Sequence, residues 1–335
     1  MAVSARLILC ILVLFSILLF PECLILFQKG GTTNHNDHED GLRALYLSKS
    51  TYCPASSLQN LSCGESCNQL RHFDTVVYNT YENVSYNTMA LSAIDHKRGE
   101  LSLPFRGPQI SITGLENLDF WQMAYPSSSC GEACKVHRGF YGAFDSLAVN
   151  LTSDVLWLSR KYPRYSYFIT GHSLGGAIAV LCAAHIASNP VFSQGQRKPA
   201  VTLYTFGEPR VGNSAFSNWT ASLLGKQHRI THGRDPVPRL PPQSWGYLHL
   251  PREWWYAEEN ATSDTPYRVC EDSTEAEDPL CSLSVYSTTV SDHLLYLGIC
   301  TRCNCSSVTM NDIYALDNNQ TLLKIINERT MGIPG

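Results

Sequence analysis

Charge is scarce in this chain: 16% of its 335 residues are Asp, Glu, Lys or Arg, and the formal net charge is −4. Without a basic surplus there is no electrostatic footprint for a phosphate backbone, which excludes nucleic acid as a partner. Internal repeats are absent, and no shift in composition is sharp enough to divide the sequence. With 44% hydrophobic residues the chain can bury a substantial core, as one large domain or two small ones, and no sequence signal splits it. A clean small-x-small cleavage site is also missing at the N-terminus. Arg6 precedes an apolar run from Leu7 to Phe20, then Pro21-Glu22 and Cys23 to Phe27. Residues 1–28 therefore read as a signal peptide or an uncleaved signal anchor, the run approaching membrane-span length when counted through Pro21-Glu22. Either delivers the rest to the secretory lumen, secreted or membrane-anchored. Residues 29–45 read as a linker, 46–305 as the folded domain and 306–335 as a C-terminal extension. Leu42 to Leu47 suggests a short helix.

What is abundant agrees with that compartment. Asn-x-Ser/Thr acceptors stand at Asn60, Asn83, Asn150, Asn218, Asn260, Asn304 and Asn319. Of 13 cysteines, Cys10 and Cys23 lie in the apolar segment, and Cys182 falls in an apolar helical stretch as a buried free thiol. The others form local couples or bracket the domain: Cys53, Cys63/Cys67, Cys130/Cys134, Cys270/Cys281 and the cluster Cys300, Cys303, Cys305. An even set in a secreted chain favours disulfides. Zinc competes for Cys63-x3-Cys67 and Cys300-x2-Cys303-x-Cys305, but an oxidising compartment closes such pairs, so no metal is expected.

The middle of the chain alternates strand and helix patterns. Thr75 to Tyr78 is a strand pattern, and Ala90 to Asp95 and Leu101 to Phe105 form a hairpin around His96-Lys97-Arg98-Gly99. Apolar residues at 140, 144, 147, 151, 155, 158 and 162 mark one face of a helix that Pro163 ends. Further strands are expected at Val201–Phe206, His228–Thr231, Tyr247–Leu250 and Trp254–Tyr256, with a helix near Ser214–Leu224. This alternation argues for an α/β fold with a mostly parallel central sheet flanked by helices.

One stretch organises the rest. An apolar strand from Tyr165 to Thr170 breaks at Gly171, presents Ser173, and passes through Gly175-Gly176 into an apolar helix. Gly171-His172-Ser173-Leu174-Gly175 is thus a Gly-x-Ser-x-Gly nucleophile elbow in strand–turn–helix context. The helix N-terminus offers the Leu174 N–H to a developing oxyanion. A nucleophilic serine needs a base, and the base an orienting carboxylate. Asp235 sits where a strand gives way to a Pro-rich turn, although an Asx-turn aspartate would stand there too. Only His249 and His293 follow it; His249 lies inside a strand pattern, so His293 is the better base. His172 reads as structural, pointing to the other side of the turn.

The sequence resembles the class 3 lipases, the secreted filamentous-fungal and yeast triacylglycerol lipases, from about Tyr52 to about Cys305. The landmarks are Val136-His137-Arg138-Gly139-Phe140, the elbow, Leu203 to Gly212, His232 to Pro238, and Asp292-His293-Leu294-Leu295-Tyr296. The resemblance implies an α/β-hydrolase fold and a metal-free, cofactor-free Ser-His-Asp esterase built from Ser173, Asp235 and His293. It implies a lid, here Ile110 to Leu118, that opens at lipid–water interfaces. It further implies disulfides Cys63–Cys67, Cys270–Cys281 and Cys130–Cys134, and a bridge from Cys53 to one of the C-terminal cysteines, Cys303 among them. The substrate it implies is an acylglycerol at a lipid interface or membrane, with phospholipase A1 or aromatic-acid esterase activity as an alternative on the same fold. A monomer is expected. Two positions depart from the family. The oxyanion residue after Phe105-Arg106-Gly107 is Pro108, which has no donor, leaving Gln109 to substitute. Leu115 stands near the place of the usual lid tryptophan. An impaired oxyanion hole would make the chain a lipid-binding protein instead.

Overall fold

The computed structural model describes residues 35–107, 120–193, 200–303 and 305, the side chains of His35 and Asn36 excepted. The chain opens with α1 (His35–Ser50), α2 (Ala55–Gln59) and α3 (Glu65–His72), then β1 (Thr75–Asn83), β2 (Thr88–Asp95) and β3 (Glu100–Arg106). A small hairpin, β4 (Gln122–Ala124) with β5 (Lys135–His137), leads into α4 (Arg138–Lys161), β6 (Ser166–His172) and α5 (Leu174–Ser188). Next come β7 (Val201–Phe206), α6 (Ser214–Leu223), β8 (Lys226–His232), β9 (Glu253–Tyr256) and β10 (Arg268–Val269). Last are α7 (Val290–Leu294), β11 (Leu295–Tyr296) and β12 (Ile299–Cys300).

The main sheet has strand order β1-β2-β3-β6-β7-β8-β9-β10. Strands β3, β6, β7, β8 and β9 are parallel, while β1, β2 and β10 pair antiparallel at the two edges. Side chains alternate between its faces. Leu101, Leu103, Tyr167, Ile169 and Leu203 pack under α4 and α5, while Phe168, Tyr204, Phe206 and Ile230 pack under α1. Helix α5 is apolar all round, and every residue of it except His185 and Ser188 is buried, as befits a helix enclosed on all sides. Helix α4 buries Phe140, Phe144, Leu147, Leu151, Val155 and Leu158, the expected stripe, and the His137 imidazole caps it by accepting the Phe140 N–H.

Two expectations are corrected. The linker at 29–45 gives way, from His35, to α1, whose Gly41, Arg43, Ala44 and Leu45 are buried on the sheet. Several of its polar residues meet partners far along the chain. Arg43 lies 3.7 Å over the Phe168 ring and bonds Glu100 at 2.6 Å, and Asp40 pairs with Lys226 at 3.1 Å. The folded domain therefore begins well before residue 46. The strand expected at Tyr247–Leu250 is reduced to a bridge between Leu248 and Gly212. Its backbone bonds side chains instead: the Ser217 hydroxyl donates to the Leu248 carbonyl at 2.6 Å, and the His249 N–H to Glu277 at 3.1 Å. Among the described residues no helix is long and apolar enough to cross a membrane. Segments 1–28 and 306–335 lie outside them.

Candidate active site

Ser173 stands alone between the end of β6 and the start of α5, with φ 59° and ψ −134°. A side-chain-bearing residue in this region stores on the order of 1–3 kcal/mol of strain. The surroundings hold it there. The Ser173 N–H donates to the Phe206 carbonyl at 2.9 Å, tying the elbow to the end of β7. A Cβ on Gly171 would lie 2.2 Å from the Gly175 carbonyl oxygen, and one on Gly175 2.3 Å from that of Phe105. Only glycine lets strand, helix and the end of β3 meet backbone to backbone. Leu174, as the first residue of α5, has an N–H with no intrahelical acceptor, which is the donor an oxyanion requires.

Asp235 follows β8 and is 4% exposed. Its Oδ1 accepts the Val237 N–H at 2.8 Å, the Asx-type turn the sequence allowed. Its Oδ2 meets His293 Nδ1 at 2.8 Å and accepts the Tyr296 hydroxyl at 2.5 Å. The Asx-type turn thus uses one oxygen and leaves the other to His293 and Tyr296. His293 lies in α7, which is clipped to the β8 loop by the Arg234 N–H on Asp292 at 2.7 Å and the Thr289 N–H on the Arg234 carbonyl at 3.0 Å. A carboxylate facing Nδ1 puts the proton on that nitrogen and leaves Nε2 as the basic one. Gly207, next to the Phe206 that holds Ser173, brings the groups together: a Cβ there would lie 2.7 Å from Asp235 Oδ2 and 3.0 Å from His293 Nδ1.

His249 is engaged elsewhere. His249 Nε2 donates to the Pro238 carbonyl at 2.7 Å, and its Nδ1 lies 3.7 Å from Glu208. It belongs to a buried polar group in which Arg210 bonds Glu277 through two 2.7 Å contacts, and, against the effect of burial, the neighbouring His249 and the Arg210 guanidinium hold the Glu277 carboxyl well below the usual range. His172 packs against His293, with 4.5 Å between the ring centroids.

The family model for "Lipase (class 3)" matches residues 103–245. A lipase of Rhizomucor miehei is 33% identical over 258 residues, covering 76% of this chain and 66% of that protein. A solved structure described as a triacylglycerol lipase with a serine protease triad as its catalytic centre superposes with a TM-score of 0.69 at 31% identity, over 81% of this chain and 98% of that one. The chain belongs to the class 3 lipase family. A secreted mono- and diacylglycerol lipase of Fusarium solani is 32% identical over 210 residues, 62% of this chain and 59% of that protein. The match thus spans about two thirds or less of these two relatives' own length, 66% and 59%.

This member of the family has five disulfides among the described residues, none of them on a strand of the main sheet: Cys53–Cys303, Cys63–Cys67, Cys130–Cys134, Cys270–Cys281 and Cys300–Cys305. The last was not foreseen; spacing within the C-terminal cluster left the partner of Cys53 open. Cys182 is free and buried. Pro108, Gln109, Leu115 and the segment Ile110 to Leu118 lie outside the described residues.

Sequence reasoning missed Tyr296, three residues after His293, because a single tyrosine has no periodicity. Its hydroxyl supplies Asp235 with a third donor. Tyr296→Phe is expected to lower kcat about tenfold on a short soluble ester, the scale of a hydrogen bond to a charged group, with KM unchanged. An unchanged kcat would make the hydroxyl a packing detail.

Proposed function

We propose that this class 3 lipase is a carboxylic ester hydrolase acting on acylglycerols, with Ser173, His293 and Asp235 as its triad. Ser173 attacks the ester carbonyl, and His293 Nε2 takes its proton and returns it to the departing alcohol. Asp235 holds the imidazolium through Nδ1. The Leu174 N–H stabilises the oxyanion. Water then attacks the acyl-enzyme by the same path in reverse. The observation that carries this reading is the buried 2.8 Å pairing of His293 with Asp235 beside a strained serine elbow. Hydrolysis of a mono-, di- and triacylglycerol panel by the purified protein tests it; no turnover of any of them would refute it.

The second oxyanion donor falls to Gln109, because Pro108 has no N–H. Losing a donor from such a hole costs about 10²–10³ in kcat. If Gln109 already serves, Pro108→Ser changes kcat on a short soluble ester by less than about tenfold. A hundredfold rise would mean that the native hole lacks a donor.

The working compartment is the secretory lumen or the outside of the cell, reached through residues 1–28 as a signal peptide or anchor. Five disulfides and the exposed acceptors Asn60, Asn150 and Asn260 support it. Endoglycosidase treatment is expected to raise the electrophoretic mobility of protein made in a secretory host; no change would remove glycosylation from this support.

A further inference from the structure

The triad accounts for the side chain of His293 but not for its main chain, which meets a second imidazole. His172 Nε2 lies 2.8 Å from the His293 carbonyl oxygen, and the hydroxyl of Tyr52 lies 2.9 Å from His172 Nδ1. A carbonyl only accepts, so His172 carries its proton on Nε2. In a neutral ring Nδ1 is then the acceptor, and Tyr52 O–H is its donor. The result is a directed chain, Tyr52 O–H to His172 to the carbonyl of His293.

His172 is 3% exposed. Burial, reinforced by the neighbouring His293, pushes it well below the ordinary imidazole range, so the ring stays neutral and its tautomer matters. The opposite tautomer would turn a lone pair on Nε2 toward the lone pairs of the His293 carbonyl. The Tyr52 hydroxyl selects against it. The same region is clipped a second time: Cys53, adjacent to Tyr52, is bonded to Cys303, and the Thr301 N–H returns to the Leu294 carbonyl at 2.9 Å.

We propose that Tyr52 and His172 are positioning residues, a tautomer-fixed link that sets where His293 stands by holding its main-chain carbonyl. The proposal rests on the ester-hydrolase reading above. Asp235 fixes one ring nitrogen, which leaves the ring free to swing with its backbone. Anchoring the carbonyl removes that freedom, and the basic Nε2 is then held toward the nucleophile. Displacements of about 1 Å at such a group cost on the order of 10²-fold in rate. Neither residue hydrogen-bonds a ring nitrogen of His293, although the His172 ring packs against that imidazole at 4.5 Å between centroids, so the link acts on turnover and not on binding.

The test compares full-length wild type, Tyr52→Phe, His172→Phe, His172→Gln and Ser173→Ala on p-nitrophenyl butyrate. Active sites are counted by exhaustive fluorophosphonate labelling, and kcat is expressed per labelled serine, so a misfolded fraction does not enter. The expected result is a fall of about tenfold in Tyr52→Phe and about 30- to 100-fold in His172→Phe, with KM within about twofold. His172→Gln, whose amide N–H can reach the same carbonyl, recovers most of the loss. Unchanged kcat per labelled serine in both Tyr52→Phe and His172→Phe, with Ser173→Ala inactive, overturns the link and leaves the triad standing. A wild type that does not label, or an active Ser173→Ala, removes the triad and this proposal with it.

Discussion

Ser173→Ala is expected to lower kcat for ester hydrolysis by about a million-fold, the usual consequence of removing a triad nucleophile. The hydroxyl is the attacking atom, and no neighbouring group in the described structure replaces it: His172 is spent on Tyr52 and the His293 carbonyl. His293→Ala should fall by a similar factor, because the effects of a unit acting together do not add. His249→Ala should keep most of its activity in whatever fraction folds, since its ring is bonded to the Pro238 carbonyl and stands beside Glu208. Near-total loss in His249→Ala with an active His293→Ala would reassign the base.

The second large effect concerns stability. The Cys53–Cys303 bond closes a loop with a sequence separation of 250. Constraining so long a loop in the unfolded chain is worth about 5 kcal/mol on the chain-entropy model. The double variant Cys53→Ser/Cys303→Ser is expected to lose roughly that much in urea unfolding, with the other four bonds intact. It should also lose activity early in the transition, because the bridge anchors both the Tyr52 segment and the chain that follows His293. A midpoint equal to that of wild type would show that the bond contributes nothing to the fold. A chelator should leave the midpoint unmoved, since Cys63 and Cys67, and Cys300 and Cys305, are joined to each other.

The central sheet was legible because its strands are short apolar runs cut off by glycine and proline. The run from Tyr165 to Thr170 fills both faces of β6, which only a covered parallel sheet requires. Order narrowed the candidate base to His249 and His293, and the strand pattern around His249 favoured His293. What escaped is held by pairings across the chain. Helix α1 begins with polar residues and looks like a linker until Arg43 finds Glu100 and Phe168, and Asp40 finds Lys226. Tyr52 and Tyr296 acquire their meaning only from His172 and Asp235, 120 and 61 residues away. Nothing in local pattern marks such a tyrosine. His172 reads as structural from the sequence, but what it holds, the His293 carbonyl on α7, lies far along the chain and leaves no local mark.

The most direct measurement is the site of covalent labelling. A fluorophosphonate should modify the purified protein once, with the adduct on the peptide that carries Ser173, and ester hydrolysis should vanish in step with labelling. The Ser173→Ala protein should take up no label. Full hydrolysis by unlabelled Ser173→Ala, or a stoichiometric adduct on another serine, would contradict the account.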